Sequence, residues 1–488
     1  VKLYETLAAD FSSLIAQGVI QEGERIPSVR QTSQHHKLSI STVIRAFLLL
    51  ESQGVIESRP QSGYFVRKRP ILPTPAADAE ATLTPPDLTC APELDTTTLV
   101  LSTLRSIDQG SIPLGSPYPD PAPYPWLKLN QYAHSIGRRY PHWNMMGDLP
   151  PGNPELIRQI ARRHMEHGLA VNTSEIIITL GATEAINLCL QAIAKPGDAI
   201  AVESPTYYAL LHAIERMGMR AVEIETDPET GISLEALERA INTESVTACI
   251  VMPNFQNPMG YLMSNERKRE LMELLTKYDV PVIENDVYHE LYYGDSHPCS
   301  LKVWDTKGLV LHCNSFTKSL SAGYRIGWTL PGRYKAQVEK LKFLNTLTTS
   351  AQPQLAIAEY LSNNGYDYHL RKIRKNYNQQ ASIMSSAVQR FFPDGASIST
   401  PSGGYLLWVG LPGNVRALDL YARAQERGIS IGPGNMFATG DAFQHWIRLN
   451  YSYAWTAEIE AAVRTLGLLV GELAGKGRPP DRAGCTRQ

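Results

Sequence analysis

Cysteine is scarce in this chain: Cys90, Cys189, Cys249, Cys299, Cys313 and Cys485 are the six among 488 residues, with no CxxC and no repeated spacing. That excludes a disulfide-stapled scaffold and a thiolate metal cluster, and it suits the reduced thiols of a cytoplasmic protein. No apolar run is long enough to cross a bilayer, no segment has the character of a signal peptide and no internal repeat is visible, which disfavours membrane and solenoid architectures. His/Cys spacings typical of metal sites are also missing, so no metal is expected. A strong charge of either sign is lacking as well: the net is −2, which argues against indiscriminate binding of nucleic acid.

What the chain does contain is unevenly distributed. The first 70 residues hold nine Lys and Arg against six Asp and Glu, net +3, and the remainder is net −5. A modestly basic head on an acidic body fits sequence-specific DNA contact. The length leaves room for two or three domains.

The head, residues 1–69, begins with a helix carrying Leu3, Leu7, Phe11, Leu14 and Ile15 at helical spacing and ending at Gln17-Gly18. Pro27-Ser28 starts a second helix, Val29 to His36. A short turn leads to a third, about Ser41 to Ser52, with Val43, Ala46, Phe47 and Leu50 on one side. After Gly54 a hairpin pairs Val55–Arg59 with Tyr64–Val66. This order predicts a winged helix-turn-helix. The runs Pro-Ser-x-Arg, Ser-x-x-Thr-Val and Ser-Gly-Tyr-Phe-Val resemble the GntR family of bacterial transcription regulators over the whole head. On that resemblance Ser39, Ser41, Thr42 and Arg45 face the major groove of a double-stranded operator. Arg30 meets a phosphate or base, and Arg59, Ser62 and Gly63 put the wing tip on the minor groove. Ser41 and Thr42 are equally good helix caps. Where many GntR proteins carry an arginine, this chain has Ile40.

Residues 70–110 read as a linker, with Pro70, Pro73, Pro75, Pro85 and Pro86 among Ala, Thr and Asp. The tail 476–488 has no apolar periodicity and reads as disordered.

The body, 111–475, alternates strand and helix signals. Glu175–Leu180 is a β-branched run closed by Gly181-Ala182-Thr183 before a helix, a turn able to hold a phosphate on backbone N–H groups. Further strands at 198–203, 248–252, 280–283 and 308–313 end in Tyr207-Tyr208, Asn257, Asn285-Asp286-Val287-Tyr288 and the run Ser315-Phe316-Thr317-Lys318. Strand ends that all carry polar residues predict a mostly parallel sheet with its ligand at that edge. Lys318 with the hydroxyls of Ser315 and Thr317 and the Arg325 guanidinium has the layout of a pyridoxal 5′-phosphate (PLP) site. The tyrosine pair suits stacking on a ring or simple packing, and Asn257 could donate to a phenolate oxygen.

From about residue 111 to 472 these features resemble the fold type I PLP enzymes of the aspartate aminotransferase superfamily. The resemblance implies a large PLP domain at 111–340 and a small α+β domain at 341–475. Lys318 carries the cofactor as a Schiff base, and Gly181, Ala182, Thr183, Ser315, Thr317 and Arg325 cradle its phosphate. Tyr207 stacks on the ring, Asn257 and Tyr288 bond its O3′, and Arg448 clamps a ligand's carboxylate. The superfamily places an Asp at the ring nitrogen three residues before the Tyr, and here that position is Asn285. Alternation along a strand turns Asp286 the other way, unless a kink brings it round. An Asn holds the ring nitrogen's proton less well, weakening the electron sink. Met146 stands where the family has an aromatic residue beside the phosphate.

Head and body together resemble the MocR subfamily of GntR regulators. This implies a cytoplasmic homodimer, domain-swapped head to tail, that senses an amino acid or amine effector through PLP. An aminotransferase with an accessory DNA-binding head is the alternative.

Overall fold

The computed structural model describes residues 2–17, 19–59, 62–67, 96–140 and 149–475. Most of the expected linker, the expected tail and Met146 lie outside the described residues. The chain divides into two units, Val1–Asp87 and Leu88–Gln488.

In the first unit α1 (Leu3–Ala16), α2 (Val29–His36) and α3 (Ile40–Ser52) precede the hairpin β1 (Ile56–Arg59) and β2 (Gly63–Val66). Ser28 caps α2 by accepting from Gln31 N, and Lys37 ends it in the left-handed region at φ 54°, a tight exit that sets the angle to α3. Leu7, Ala8, Phe11, Ile26, Val43, Ala46, Phe47, Leu50, Ile56 and Val66 close one core. Leu3 and Leu14, expected on that face, are exposed. At 3.6 residues per turn they fall on the flank of a stripe centred between Leu7 and Ala8.

The second unit opens with α4 (Thr96–Asp108), α5 (Trp126–Arg139) and α6 (Pro154–Glu166), then alternates β3 (Ile177–Thr179), α7 (Gly181–Ile193), β4 (Ala199–Ser204), α8 (Tyr208–Arg216), β5 (Arg220–Asp227), β6 (Gly231–Ile232), α9 (Leu234–Glu244), β7 (Val246–Val251), α10 (Asn265–Tyr278), β8 (Val282–Asn285), β9 (Val310–Ser315) and β10 (Gly327–Leu330). The sheet order is β3-β10-β9-β8-β7-β4-β5-β6. Neighbours from β9 to β5 are parallel, and β10 runs antiparallel between β3 and β9. The C-terminal ends of β3, β4, β7, β8 and β9 therefore share one edge, as a mostly parallel sheet requires.

After α11 (Lys335–Thr346), α12 (Ala351–Ser362) and α13 (Gly365–Phe391), a second sheet of β11 (Ser397–Ile398), β12 (Leu406–Gly410), β13 (Gly432–Pro433) and β14 (Trp446–Asn450) is covered by α14 (Ala417–Glu426) and α15 (Ala457–Gly475). Its order is β11-β12-β14-β13 and all pairs are antiparallel.

One expected boundary moves. Residues 96–108, placed in the linker, form α4, which buries Leu99, Val100 and Thr103 and ties to α14 through Ser102 Oγ and Tyr421 OH at 2.8 Å. Its apolar spacing was overshadowed by the prolines before it. Past 341, α12 packs back on α5 and α6, with Gln354 Oε1 accepting from Asn153 N at 2.9 Å and Gln352 Nε2 donating to Ala133 O at 2.9 Å. Among the described residues no helix is long and apolar enough to cross a membrane.

Candidate functional site

The shared edge of the large sheet opens into a cavity lined by Tyr118, Ala182, Thr183, Ile186, Tyr207, Met252, Asn257, Asn285, Val287, Tyr288, Ser315, Thr317, Lys318 and Arg325. Nine of the ten expected cofactor-binding residues and Lys318 are on this wall. The tenth, Gly181, lies directly behind Arg325: a Cβ added there would come within 2.7 Å of its NH2. Gly181 also sits at φ +78°, so the glycine is required twice, for conformation and for room.

One end of the cavity is built from the N-terminus of α7, whose leading N–H groups have no side-chain cap, and from three side chains. Thr317 N donates to Ser315 Oγ at 3.4 Å and Arg325 NH1 to Thr317 Oγ1 at 3.4 Å. Arg325 itself is held at φ 54°, a left-handed backbone costing about 1–2 kcal/mol, which the surrounding structure sustains to aim the guanidinium at α7. Helix dipole, hydroxyls and cation together make a dianion site.

Burial, with Arg448 and Arg325 close by, brings the Lys318 ammonium down to about 7. Its Nζ donates to Pro117 O at 2.7 Å and lies 4.3 Å from the centre of the Tyr118 ring. A lysine in this state is half neutral at physiological pH and able to act as a nucleophile. Asn257 Oδ1 accepts from Arg448 NH1 at 3.0 Å, which leaves its Nδ2 as a donor. Tyr288, pushed up to about 12 by burial, shares hydrogen bonds with Tyr405 and Asn257.

Asn285 and Asp286 separate cleanly. Asn285 ends β8 on the cavity wall, 2 % exposed, with Oδ1 buried and unpartnered. Asp286 points the other way: Oδ1 accepts from Asn254 Nδ2 at 2.8 Å, and Oδ2 faces His289 Nδ1 at 2.8 Å and His312 Nε2 at 3.1 Å. Burial opposes its charge, but His289 and His312 hold the carboxyl well below its usual range. His289 in turn is raised to about 9, Asp286 and Glu290 outweighing burial. No kink turns Asp286 inward, and no carboxylate lines the cavity among the described residues.

The dianion cradle, the lysine, the O3′ donors and the unpartnered Asn285 Oδ1 at the far end fit PLP. Two groups of histidines and a carboxylate also occur, His167-Glu290-His297 and Asp286-His289-His312. Their carboxylates are already engaged, Glu290 by Arg163 and Arg374 and Asp286 by Asn254 and the two histidines.

Arg448 is completely buried on β14 and is not on the cavity wall. Its NH2 donates to Gly115 O at 2.8 Å. The cavity residues that sequence reasoning passed over include Tyr118. The only signal was the proline-dense run Gly115-Ser116-Pro117-Tyr118-Pro119-Asp120-Pro121, which marks an extended segment without saying what it touches.

In the winged-helix unit Arg30, Ser39, Ser41, Arg45, Arg59 and Ser62 are exposed, and Thr42 and Gly63 are half-buried. Ser39, two residues ahead of the first expected cap, is the N-cap of α3: its Oγ accepts from Thr42 N at 3.2 Å and contacts Ser41 Oγ and Thr42 Oγ1 at 2.9 and 2.8 Å. Arg59 pairs with Glu57 at 2.8 Å and covers Phe65. Arg25 lies against Gly63, 3.2 Å from where a Cβ would be, and was not anticipated. Ile40, Ile44 and Leu48 form an exposed apolar row on α3, of the kind that meets thymine methyl groups.

Residues 3–66 match the model of bacterial regulatory proteins of the gntR family, and residues 143–466 match aminotransferase class I and II. An uncharacterized HTH-type transcriptional regulator of Escherichia coli K12, YdcR, is 38% identical over 480 residues, which is 97% of this chain and all of the relative. The 2-aminoadipate transaminase of Thermus thermophilus is 28% identical over 312 residues, 63% of this chain and 78% of that one. Among solved structures, the T. thermophilus α-aminoadipate aminotransferase LysN, complexed with N-(5′-phosphopyridoxyl)-L-leucine, superposes with a TM-score of 0.71 at 25% identity, covering 76% of this chain and 95% of that one.

Proposed function

Because the chain belongs to the MocR subfamily of GntR regulators, a DNA-binding winged helix fused to an aminotransferase class I and II body whose cofactor is PLP, we propose that the body acts as a sensor. An amino acid or amine effector competes with Lys318 for the cofactor and alters how the heads occupy an operator. When bound, PLP supplies an electrophilic carbonyl carbon for a primary amine. Arg325, Ser315, Thr317 and the start of α7 hold the phosphate. Tyr207 faces the ring, Asn257 Nδ2 and Tyr288 orient its phenolic oxygen, and Arg448 receives the effector's carboxylate.

The observation that carries this reading is Asn285. The cavity wall carries Lys318, Arg325 and a neutral amide at Asn285, while the nearby carboxylate of Asp286 is turned away and fully engaged. An amide holds an extra proton on the ring nitrogen less well than a carboxylate, so binding is kept and turnover is weakened. A sensor needs the first and not the second. The Lys318 amine near 7 favours a second reading, a working aminotransferase with a DNA-binding head.

Selection of bound DNA fragments by the full-length protein, with and without PLP and amino acids, tests the proposal. Occupancy that changes with the amino acid in wild type and not in Lys318→Ala supports it; occupancy indifferent to cofactor and amino acid refutes it. Rapid conversion of bound PLP to its amine form across a panel of amino acids would favour the enzyme. The active species is taken to be a homodimer with heads exchanged between protomers, acting in the cytoplasm. Sedimentation of the PLP-loaded protein checks the dimer.

A further inference from the structure

Residues 112–121 run as a strap between the small sheet and the cavity. Ile112 is bridged to Ile429, donating to Gly428 O at 2.8 Å and accepting from Ser430 N at 3.0 Å, and Leu114 O accepts from Asn450 N at 2.7 Å. The next carbonyl oxygens in the row are all taken by side chains. Gly115 O accepts from Arg448 NH2 at 2.8 Å and Ser116 O from Asn450 Nδ2 at 3.0 Å. Pro117 O accepts from Lys318 Nζ at 2.7 Å and Tyr405 OH at 2.9 Å. Tyr118 O accepts from Asn450 Nδ2 at 2.7 Å.

Irregular segments ordinarily turn their carbonyls to water. This one gives them to the lysine that takes the cofactor and the arginine that takes the carboxylate. The fit at Arg448 is incomplete: NH1 is on Asn257 and NH2 on Gly115, but Nε is buried with no partner. A single carbonyl satisfies one N–H of the fork, whereas a carboxylate satisfies two. Gly115 O therefore stands in for one ligand oxygen, and only two of the five guanidinium N–H groups are used.

Two kinds of ligand are then treated differently. A primary amine without a carboxylate reaches Lys318 through the cavity with the strap in place, since Arg448 is not on its wall. Arg448 is fully buried, so an amino acid can engage it only by displacing part of what covers it, and the Gly115 carbonyl is the strap's share of that cover. We infer that the strap selects the signalling ligand: the site reports amino acids and not simple amines, because only a carboxylate removes Gly115 from Arg448. This rests on the sensor reading above. Three residues separate Ile112 from the end of α4 at Asp108, and the chain ahead of α4 leads to the winged helix.

Gly115 is where the strap can be unlocked without ligand. A Cβ there would come 2.6 Å from the Ile431 carbonyl carbon and 2.7 Å from its oxygen and from Ser430 Oγ. Gly115→Ala should hold the strap off, and Arg448→Gln should loosen it.

The test is hydrogen–deuterium exchange over residues 112–118 in the full-length, PLP-loaded protein, with the visible absorption of bound PLP as the measure of occupancy. The ligands are the twenty standard L-amino acids and, for each that shifts the absorption, the amine left on removing its carboxylate. Amino acids that shift the band should speed exchange by about tenfold or more, their amines should shift the band without speeding exchange, and Gly115→Ala should exchange fast with no ligand. An amine that loosens the strap as much as its amino acid overturns the inference. So does an amino acid that shifts the band and leaves the strap protected, a panel that shifts nothing, or a Gly115→Ala strap as protected as wild type. Failure to load PLP at all would instead overturn the sensor reading. Gly115→Ala in cofactor-free protein would still decide whether the strap can be unlocked.

Discussion

Replacing Lys318 by Met should stabilise the cofactor-free protein near neutral pH, and the gain should shrink and change sign as pH rises. In the unfolded chain this lysine titrates near 10.5, and in the folded protein burial, Arg448 and Arg325 bring it to about 7. At about 1.4 kcal/mol per tenfold that drop corresponds to about 5 kcal/mol against folding, an upper value because the cavity is open to solvent. The penalty is fully present below pH 7, where both states are protonated. Between the two values the unfolded chain holds the extra proton, so stability rises with pH, and above about 10.5 nothing remains. Methionine keeps the length of the stem and removes the charge. It also removes the bond to Pro117 O at 2.7 Å, which returns about 1–3 kcal/mol in favour of wild type. Urea unfolding of the two cofactor-free proteins should show Lys318→Met ahead by about 2 kcal/mol at pH 6.5, with the difference moving toward wild type by about 3 kcal/mol at pH 9.5. The movement with pH is the diagnostic part, since the lost hydrogen bond and packing changes do not titrate in that window. A difference that stays constant from pH 6.5 to 9.5 would refute the assignment of a desolvated, cation-flanked lysine. Adding PLP should reverse the order, because wild type gains ligand-linked stability that the variant lacks.

Three further outcomes follow from the same geometry. Asn285→Asp should place a carboxylate at the far end of the cavity, make the absorption of bound PLP pH-dependent over a different range, and speed half-transamination by about tenfold or more; unchanged spectra and rates would mean Asn285 does not face the ring. Gly181→Ala, with its Cβ 2.7 Å from Arg325 NH2 at φ +78°, should weaken PLP affinity by about a hundredfold in equilibrium dialysis while leaving DNA binding by the heads measurable. In the winged helix, Ser39→Ala should cost about 1 kcal/mol of stability through the lost cap, whereas Arg45→Ala should lower the salt dependence of operator binding by about one phosphate contact without a change in melting.

Much of this architecture is legible in local chemistry. The capped starts of α2 and α3, the β-branched strands and the glycine turn before α7 are each written in a few adjacent residues, and their periodicities predict the elements to within a residue or two. The cavity residues are legible for a related reason: each sits at the end of its own strand, and a parallel sheet gathers those ends on one edge. What local pattern misleads is α4, whose helical spacing follows a run of prolines, and what it does not show is the return of α12, past 341, to its partners α5 and α6 far earlier in the chain.

The sequence by itself determined that a winged helix precedes a PLP-type body, that Lys318 and Arg325 belong to one site, and that the position facing the ring nitrogen is in question. Only the tertiary structure shows Asp286 turned away from the cavity and Asn285 on its wall. Asp286 is held outward by Asn254 in the loop after β7, His289 just beyond β8 and His312 on β9, and no count along one strand can reveal such partners. Only the tertiary structure, likewise, brings Gly115 onto Arg448 across 333 residues. Side-chain type sets what a residue can bond to. Chain closure sets which bond it finds, and for Arg448 the partner is the protein's own backbone.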